Sequence, residues 1–436
     1  MSMKNIFSMG KIIDLGFVIL LSFSTSIMSF AQVNYDEEKV PEYKLPEILV
    51  SRNGKVIKNP SDWENIRRPE ILDLFEKNMY GRFPGEVITI GFETIETDRK
   101  ALDDKAIRKN IHIILSNGTD SIRLDMQVFL PSHSNYPAPL FLGLNFNGNH
   151  TIVADPTIPV TRSWVRNNSE YNIVDNKATD ASRGKAGSRW PVEKIIEKGY
   201  GLATIYYGDI DPDFDDDFKN GIHSLIDNST ENDPEMRSSI SAWAYGLSLA
   251  MDYFETDDAI NQDQVIVIGH SRLGKAALWG GASDRRFAMV ISNDSGCGGA
   301  ALSRRQFGET VKAINTQFPH WFCKNFHNYN DRVDDLPVDQ HMLISLMAPR
   351  PVYVASAHDD QWADPKGEFL SLYESGAVYE LFKLKGIREE KLPLLNEPVR
   401  SGNVGYHNRS GEHDITLFDW EQYLDFADHH FKRPVK

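Results

Sequence analysis

The segment from Val265 to Leu278, VIVIGHSRLGKAAL, constrains the fold more than any other part of the 436-residue chain. Its first four residues are β-branched and apolar, which is typical of a strand buried on both faces. Gly269 permits a sharp reversal, and the residues from Leu273 onward favour a helix. A strand, a tight turn carrying Ser271 and a helix form a nucleophile elbow, although the second glycine, Gly274, comes one residue later than in the usual Gly-x-Ser-x-Gly pattern.

The remainder of the chain predicts the layers around this segment. Three β-rich segments between residues 87 and 131 indicate antiparallel strands, and from residue 138 helices alternate with short apolar strands. This alternation predicts an α/β fold, with helices on both faces of a mostly parallel sheet and antiparallel strands at its N-terminal edge. Long polar insertions at residues 161–189 and 325–340 follow strand ends, where such sheets place their sites. Without a repeat or a low-complexity linker, one catalytic domain over residues 32–436 is expected.

The first 31 residues predict a secretory signal peptide. Lys4 and Lys11 precede an apolar run from Leu15 to Phe23, and a small-residue cleavage site ends at Ala31. Cleavage there removes two lysines and Asp14, so the formal net charge of −15 becomes −16. We therefore expect a secreted or periplasmic protein, without a nucleic-acid partner and without membrane association once the signal is removed.

Two cysteines, Cys297 and Cys323, are present in a chain that would meet an oxidising compartment. A single disulfide is the expectation, and two buried free thiols are the alternative. The chain has no Cys-x-x-Cys or His-Glu-x-x-His motif, so neither a metal nor another cofactor is expected.

An acidic run, GDIDPDFDDDF, begins at Gly208. Its aspartates have the spacing of a calcium loop, but Phe214 and Asn220 stand where an EF-hand requires glycine and glutamate. The run is therefore interpreted as a solvated or turn-capping loop. The aromatic segment FPHWFCKNFHNYN is interpreted as core in preference to a sugar-binding platform.

A serine nucleophile requires a histidine base and an acid that orients it, in the chain order serine, acid, histidine. The segment GYHNRSGEHDIT offers His407 and His413 in what is predicted to be a glycine-rich polar loop before the last helix. His413 is preferred because it is nearer that helix, and His407 is the reserve. Asp294 and Asp360 each follow a predicted strand, and the sequence does not choose between these two acids.

The oxyanion of an acyl-transfer intermediate needs preorganised donors. The backbone N–H of Arg272 follows the serine at a helix N-terminus, and its guanidinium adds charged donors. The Asn147-Gly148-Asn149 turn offers a second donor. Lys275 lies one helical turn from Ser271, so its ammonium group can reach the same pocket.

Six segments together carry a family resemblance over about residues 63–430: GHSRLGKAALWGGASDRRFAMVISNDSGCGGAALSRR, FPHWFC, LISLMAPRPVYVASAHDDQWADPKGEF, GEHD, NFNGNH and YYGDIDPDFDD. They resemble the bacterial branch of the glucuronoyl esterases, carbohydrate esterase family fifteen, whose Gly-x-Ser-Arg-x-Gly-Lys signature accounts for the displaced glycine. The resemblance implies an α/β-hydrolase fold, a three-layer αβα sandwich. It also implies a serine esterase that cleaves esters between 4-O-methyl-glucuronate or glucuronate of xylan and lignin alcohols, through a glucuronoyl-enzyme intermediate.

The resemblance also implies roles for individual residues. Ser271 matches the nucleophile, Arg272 the oxyanion stabiliser and His413 the base. Asp294 falls where many members have a catalytic glutamate, and Asp360 falls at the alternative acid position; the shorter arm of an aspartate puts the primary role of Asp294 in doubt. The positions that match uronate-holding groups are Lys275, Glu309 and Trp362, with Gln317 a less certain match. Cys297 and Cys323 resemble a disulfide pair of the bacterial members.

Two other functions are compatible with the sequence. An acetyl-xylan or related carbohydrate acetyl esterase on the same fold is favoured if Lys275, Glu309 and Trp362 do not converge on Ser271. The other is a noncatalytic glycan-binding protein. On this hypothesis, Ser271, His413 and the two candidate acids are expected to lie out of hydrogen-bonding reach of one another.

Overall fold

The computed structural model of the chain describes residues 33–83, 89–134, 136–226 and 233–431. The predicted signal peptide, residues 1–31, lies outside the described residues. Residues 34–436 form one structural unit. Among the described residues, no helix combines the length and the apolar character needed to cross a bilayer.

Ten strands form one mixed sheet in the described part of the chain. They are β1 (Thr89–Ala101), β2 (Ala106–Ser116), β3 (Ser121–Pro131), β4 (Ala138–Asn145), β5 (Gly201–Tyr206), β6 (Ile260–His270), β7 (Met289–Asn293), β8 (Val352–Ala357), β9 (Val399–Ser401) and β10 (Val404–Arg409). The strand order is β1-β2-β3-β5-β4-β6-β7-β8-β10-β9. The three N-terminal strands are antiparallel, and β3 pairs antiparallel with β5. The six strands from β5 to β10 in this order are parallel, which confirms the predicted sheet, and β9 adds a second antiparallel edge that the sequence did not indicate.

The α-helices cover both faces of this sheet. They are α1 (Pro60–Asp62), α2 (Arg68–Phe75), α3 (Val192–Glu197), α4 (Tyr207–Ile210), α5 (Ser239–Phe254), α6 (Arg272–Ser283), α7 (Val311–Gln317), α8 (Gln340–Ser345), α9 (Pro365–Leu381) and α10 (Leu417–His430). Turns of π-helix at Trp63–Arg67 and Glu76–Tyr80 join α1 and α2 into one helical segment over residues 60–80. The sequence predicts that segment from Trp63 to Tyr80.

The alternation of side chains along the parallel strands supplies two separate cores. On β6, Val265 and Val267 join the core beneath α5 and α6, whereas Ile266 and Ile268 join the core beneath α3 and α10. A strand whose every residue is apolar can pack helices against both of its faces. The arrangement is the predicted three-layer αβα sandwich.

The two cysteines are free thiols, not the expected disulfide. The Sγ of Cys323 lies 3.9 Å from the carbonyl oxygen of Lys77, in the segment that follows α2, whereas Cys297 lies in the loop after β7. Burial raises the pKa of Cys297 and raises that of Cys323 to about 12, so both are poor nucleophiles. The alternative of two buried free thiols describes this structure.

Candidate active site

Ser271 occupies a strained turn between β6 and α6, with φ 57° and ψ −130°. The serine N–H donates to the carbonyl of Asn293 at 2.9 Å, which fixes the turn against β7. A Cβ at Gly269 would come within 1.9 Å of the Leu273 carbonyl oxygen, and one at Gly274 within 2.9 Å of the Ser295 side chain. Both positions therefore need glycine, which explains why Gly274 serves here as the second glycine of the elbow. A non-glycine residue in this backbone region typically costs about 1–3 kcal/mol, a strain that is common at active sites.

The preferred base, His413, precedes α10 and lies beside the elbow. Its Nδ1 lies 2.6 Å from Oδ2 of Asp360, a buried carboxylate at the end of β8. The His413 ring packs against the ring of His270, with the centroids 4.5 Å apart, and His270 directly precedes Ser271. Since Nδ1 faces the carboxylate, Nε2 is the ring nitrogen that can serve the serine. A hydrogen-bonded acid–histidine pair beside the elbow is contrary to the expectation for a noncatalytic binding protein.

Asp294 is fully buried behind this pair. Its Oδ1 accepts the N–H of Ala357 at 2.5 Å, and its Oδ2 lies 3.5 Å from Nη2 of Arg409. Burial raises the pKa of Asp294 well above its usual value, and the carboxylates of Glu368 and Asp360 raise it further. When two acids share a site, the one with the raised pKa tends to be neutral. The geometry therefore gives Asp360 the direct bond to the histidine and gives Asp294 a bond to the backbone at the end of β8.

Metal-ligating atoms of Asp294, Asp360 and His413 lie within 4.8 Å of one another, a spacing that a cation could use. The guanidinium of Arg409 already lies beside the Asp294 carboxylate. A divalent ion would meet this positive charge and would displace the 2.6 Å bond between His413 and Asp360. The donor set fits an acid–base pair better than a metal centre.

The reserve histidine, His407, does not lie in a polar loop. It is a buried residue of β10, with Nε2 2.8 Å from Oδ1 of Asp419 and Nδ1 3.1 Å from the hydroxyl of Tyr353. Burial lowers its pKa, although the Asp419 carboxylate opposes this effect. The predicted loop was wrong at this point because Tyr406 and its neighbours pair with β8, so His407 serves the core.

Arg272 begins α6, and its guanidinium lies in an aromatic setting. The guanidinium carbon is 4.7 Å from the ring centroid of Trp321, 5.6 Å from that of Phe318 and 5.8 Å from that of Phe146. Its Nη1 donates to the buried carboxylate of Asp213. Burial disfavours the charge of Arg272, but the carboxylate more than offsets this effect and the pKa is raised. This cation is held rigidly at the N-terminus of the helix that follows the serine.

The acidic run corrects one sequence interpretation. Asp211 and Asp213 are buried, with 3% and 1% of their surface exposed, so these positions are not part of a solvated loop. Burial opposes ionisation of Asp213, but a hydrogen bond from His320 and the charges of Arg272 and Arg166 outweigh it and hold the pKa well below its usual value. Sequence reasoning missed this residue, since the letters DPDFDDD do not show which carboxylate points inward.

The predicted uronate-holding residues are brought together beside the elbow, with one exception. Lys275 Nζ donates to the Ser295 carbonyl at 2.6 Å and lies 3.8 Å from Oε2 of Glu309. The N–H of Glu309 in turn donates to the carbonyl of Trp362 at 2.9 Å, and Trp362 is 37% exposed. Burial raises the pKa of Glu309, and the lysine opposes that rise. The exception, Gln317, is exposed at the end of α7.

The Asn147-Gly148-Asn149 turn, predicted to offer a second oxyanion donor, has two of its donors engaged elsewhere. The N–H of Gly148 donates to Oδ1 of Asn145 at 2.7 Å, and the Asn149 amide donates to the Asp125 carbonyl at 2.7 Å. These bonds stabilise the turn after β4. The oxyanion-stabilising role of Arg272 and that of the remaining donors of this turn stay predictions.

Comparisons with known proteins identify related esterases. A family model described as glucuronyl esterase of fungi matches residues 231–383. Carbohydrate esterase MZ0003, from an unknown prokaryotic organism, is 52% identical and aligns over 91% of this chain and 92% of its own length. Two solved structures superpose closely. An esterase described as promiscuous, from a marine bacterial metagenome, has a TM-score of 0.86 and 51% identity over 92% of this chain and 100% of its own. A glucuronoyl esterase from Solibacter usitatus has a TM-score of 0.85 and 46% identity over 91% of this chain and 100% of its own.

The chain is thus a carboxylic ester hydrolase with an α/β-hydrolase fold. The 52% sequence identity to a relative over 91% of this chain and the TM-score of 0.86 to a solved structure identify the family within this class. It belongs to the glucuronoyl esterases, carbohydrate esterase family fifteen.

Proposed function

We propose that the protein is a secreted serine esterase that hydrolyses the ester between a glucuronate or 4-O-methyl-glucuronate carboxyl group of xylan and a lignin alcohol. The observation that carries the proposal is the ion pair between Lys275, one helical turn after Ser271, and Glu309, whose backbone N–H donates to the carbonyl of Trp362. A relative from Schizophyllum commune named 4-O-methyl-glucuronoyl methylesterase, 27% identical over 77% of this chain, supports the substrate class.

The sugar acid itself carries the scissile carbonyl, so this enzyme must grip a pyranose next to its nucleophile. Lys275 is a hydrogen-bond donor and Glu309 an acceptor for sugar hydroxyls, and the exposed indole of Trp362 can cover one face of the ring. A small acetyl group has no hydroxyl groups with which the buried Lys275–Glu309 pair could form these hydrogen bonds. This arrangement favours the uronate ester over the acetyl ester.

In the proposed reaction the Ser271 hydroxyl attacks the ester carbonyl and passes its proton to Nε2 of His413. Asp360 stabilises the imidazolium through Nδ1. The tetrahedral intermediate collapses, the C–O bond to the alcohol breaks, and His413 gives its proton to the leaving alcohol. Water then attacks the glucuronoyl-enzyme with His413 as base, and releases glucuronate and the free serine.

Charge develops on the carbonyl oxygen in both tetrahedral intermediates. The Arg272 guanidinium is positioned to stabilise it, because the residue follows the serine and its side chain is held by Trp321 and Asp213. Its Nη1 donates to Asp213, so the remaining charged donors of the group are the ones that would stabilise the oxyanion.

Hydrolysis of benzyl glucuronate, measured beside that of para-nitrophenyl acetate, tests the proposal. We expect the wild type to prefer the uronate ester and Ser271→Ala to lose both activities. Ser283→Ala is the matched control, since its hydroxyl lies on the same helix but donates to the Trp279 carbonyl, and it should retain both. Turnover of acetate without turnover of the uronate ester would favour the acetyl esterase instead.

Secretion rests on the predicted signal peptide of residues 1–31. N-terminal sequencing of the exported protein should begin at Gln32. An exported protein that retains residues 1–31 would contradict this part of the proposal.

A further inference from the structure

A buried carboxylate lies behind the proposed oxyanion-stabilising cation. Asp213 Oδ2 accepts from Nη1 of Arg272, from Nη2 of Arg166 at 3.1 Å and from the hydroxyl of Tyr207 at 3.0 Å. Its Oδ1 lies 3.0 Å from Nε2 of His320 and accepts Nε1–H of Trp321 at 2.8 Å. Five donors on one fully buried carboxylate leave it no freedom of orientation.

These donors come from segments that are far apart in the sequence. Arg166 belongs to the polar insertion after β4, Tyr207 begins α4, and His320 and Trp321 follow α7. Asp213 thus joins three loops that surround the elbow. The same residue fixes both the guanidinium of Arg272 and the Trp321 ring on which that guanidinium lies.

We propose that Asp213 is a positioning residue for catalysis, which orients the Arg272 guanidinium toward the oxyanion through their hydrogen bond. The inference rests on the proposed function in one respect, namely that Arg272 stabilises the oxyanion. An arginine side chain has several rotatable bonds, and only a fixed guanidinium provides preorganised stabilisation. Asp213 holds the guanidinium through one nitrogen, Nη1, and does not occupy its other donors.

The charges at this site support a role beyond packing. The two guanidinium groups of Arg272 and Arg166 bring two positive charges to one carboxylate, and only 20% of the Arg272 side chain is exposed. The cluster keeps an excess of positive charge beside the nucleophile while the arginine stays paired. An apolar or neutral residue at position 213 would leave Arg272 charged and without its partner.

The experiment is a double-mutant cycle between positions 213 and 272. We expect Asp213→Asn to lower kcat about 100-fold with KM changed less than threefold, because removal of one oxyanion donor costs about 10²–10³. In an Arg272→Gln background the same substitution should lower kcat by less than threefold, since the group it positions is gone. Asp213→Glu keeps the charge but displaces it by one methylene, so its kcat should fall between those of wild type and Asp213→Asn. If Asp213→Asn folds poorly, Asp213→Glu takes its place in the cycle.

Asp211→Asn is the matched control. Asp211 is a buried carboxylate two residues away that accepts from Ser239 and does not contact Arg272, so its kcat should match the wild type. A loss of kcat at Asp213→Asn that is equally large in the Arg272→Gln background, or no loss at all, would overturn the proposal. The kcat is measured on both benzyl glucuronate and para-nitrophenyl acetate. Because the oxyanion forms with either ester, the positioning role of Asp213 can be tested separately from the uronate substrate. A wild type active on acetate alone refutes the uronate substrate, and the cycle is then measured on acetate.

Discussion

Replacement of Asp360 by asparagine is the sharpest test of the acid that serves His413. The substitution keeps the volume of the side chain and removes the charge that faces Nδ1 across 2.6 Å. The Coulomb attraction between unit charges at this separation is about 6 kcal/mol at an effective dielectric constant of about 20, and about 1.6 kcal/mol in bulk water. Since 43% of the His413 side chain is exposed, we take a screened value of about 4 kcal/mol for the imidazolium of the transition state.

This value corresponds to a loss of about 10³ in kcat, at 1.36 kcal/mol per factor of ten. For Asp294→Asn we expect a loss of less than about tenfold. The raised pKa of Asp294 makes its carboxyl resemble the neutral amide, and an asparagine oxygen can still accept the Ala357 N–H. The assay is the kcat for benzyl glucuronate in both variants, with thermal unfolding as the control for folding. A larger loss at Asp294→Asn than at Asp360→Asn would refute the assignment.

Four further measurements test the structure. Burial raises the pKa of Asp211 to about 8 from an ordinary 3.8, so between these pH values the folded state binds more protons than the unfolded state and stability falls as the pH rises. Asparagine does not titrate, so the Tm of Asp211→Asn minus that of wild type should increase from pH 4 to pH 8. Parallel plots of Tm against pH for the two proteins would contradict the burial of this acid. Because glycine relieves the strain at φ 57°, the free energy of unfolding of Ser271→Gly should exceed that of Ser271→Ala by up to about 1 kcal/mol. The reverse order of stability in denaturant unfolding would argue against a strained elbow. Thiol titration in denaturant without reductant should find both Cys297 and Cys323 free, whereas no reactive thiol would indicate a disulfide. Trp362→Ala should raise KM for benzyl glucuronate about tenfold and leave KM for para-nitrophenyl acetate unchanged, while equal effects on the two esters would remove its proposed role in sugar binding.

The sequence determined those features whose causes are local. The elbow is an example, because the apolar run of β6, the glycine at 269 and the helix-forming residues after Ser271 are contiguous. The parallel sheet was equally predictable, since a fully apolar strand must be covered on both faces. The order serine, acid, histidine narrowed the candidates for the base to two histidines and those for the acid to two aspartates. Local sequence did not choose within either pair.

Only the tertiary structure decided among those candidates. His407 and His413 are six residues apart, and pairing of β10 with β8 buries one while the other remains at the mouth of the site. Asp294 and Asp360 both follow strands, and the backbone N–H of Ala357 engages the first while the second faces the imidazole.

Asp213 shows the same limit most clearly. Its partners lie between 6 and 108 residues away along the chain, so no spacing rule in the sequence connects them. In the sequence it is one of several aspartates in a polar run, with nothing to distinguish it from solvated neighbours. The burial of a charge is decided by which distant donors the fold brings to it, and that is a property of the assembled loops and not of any segment.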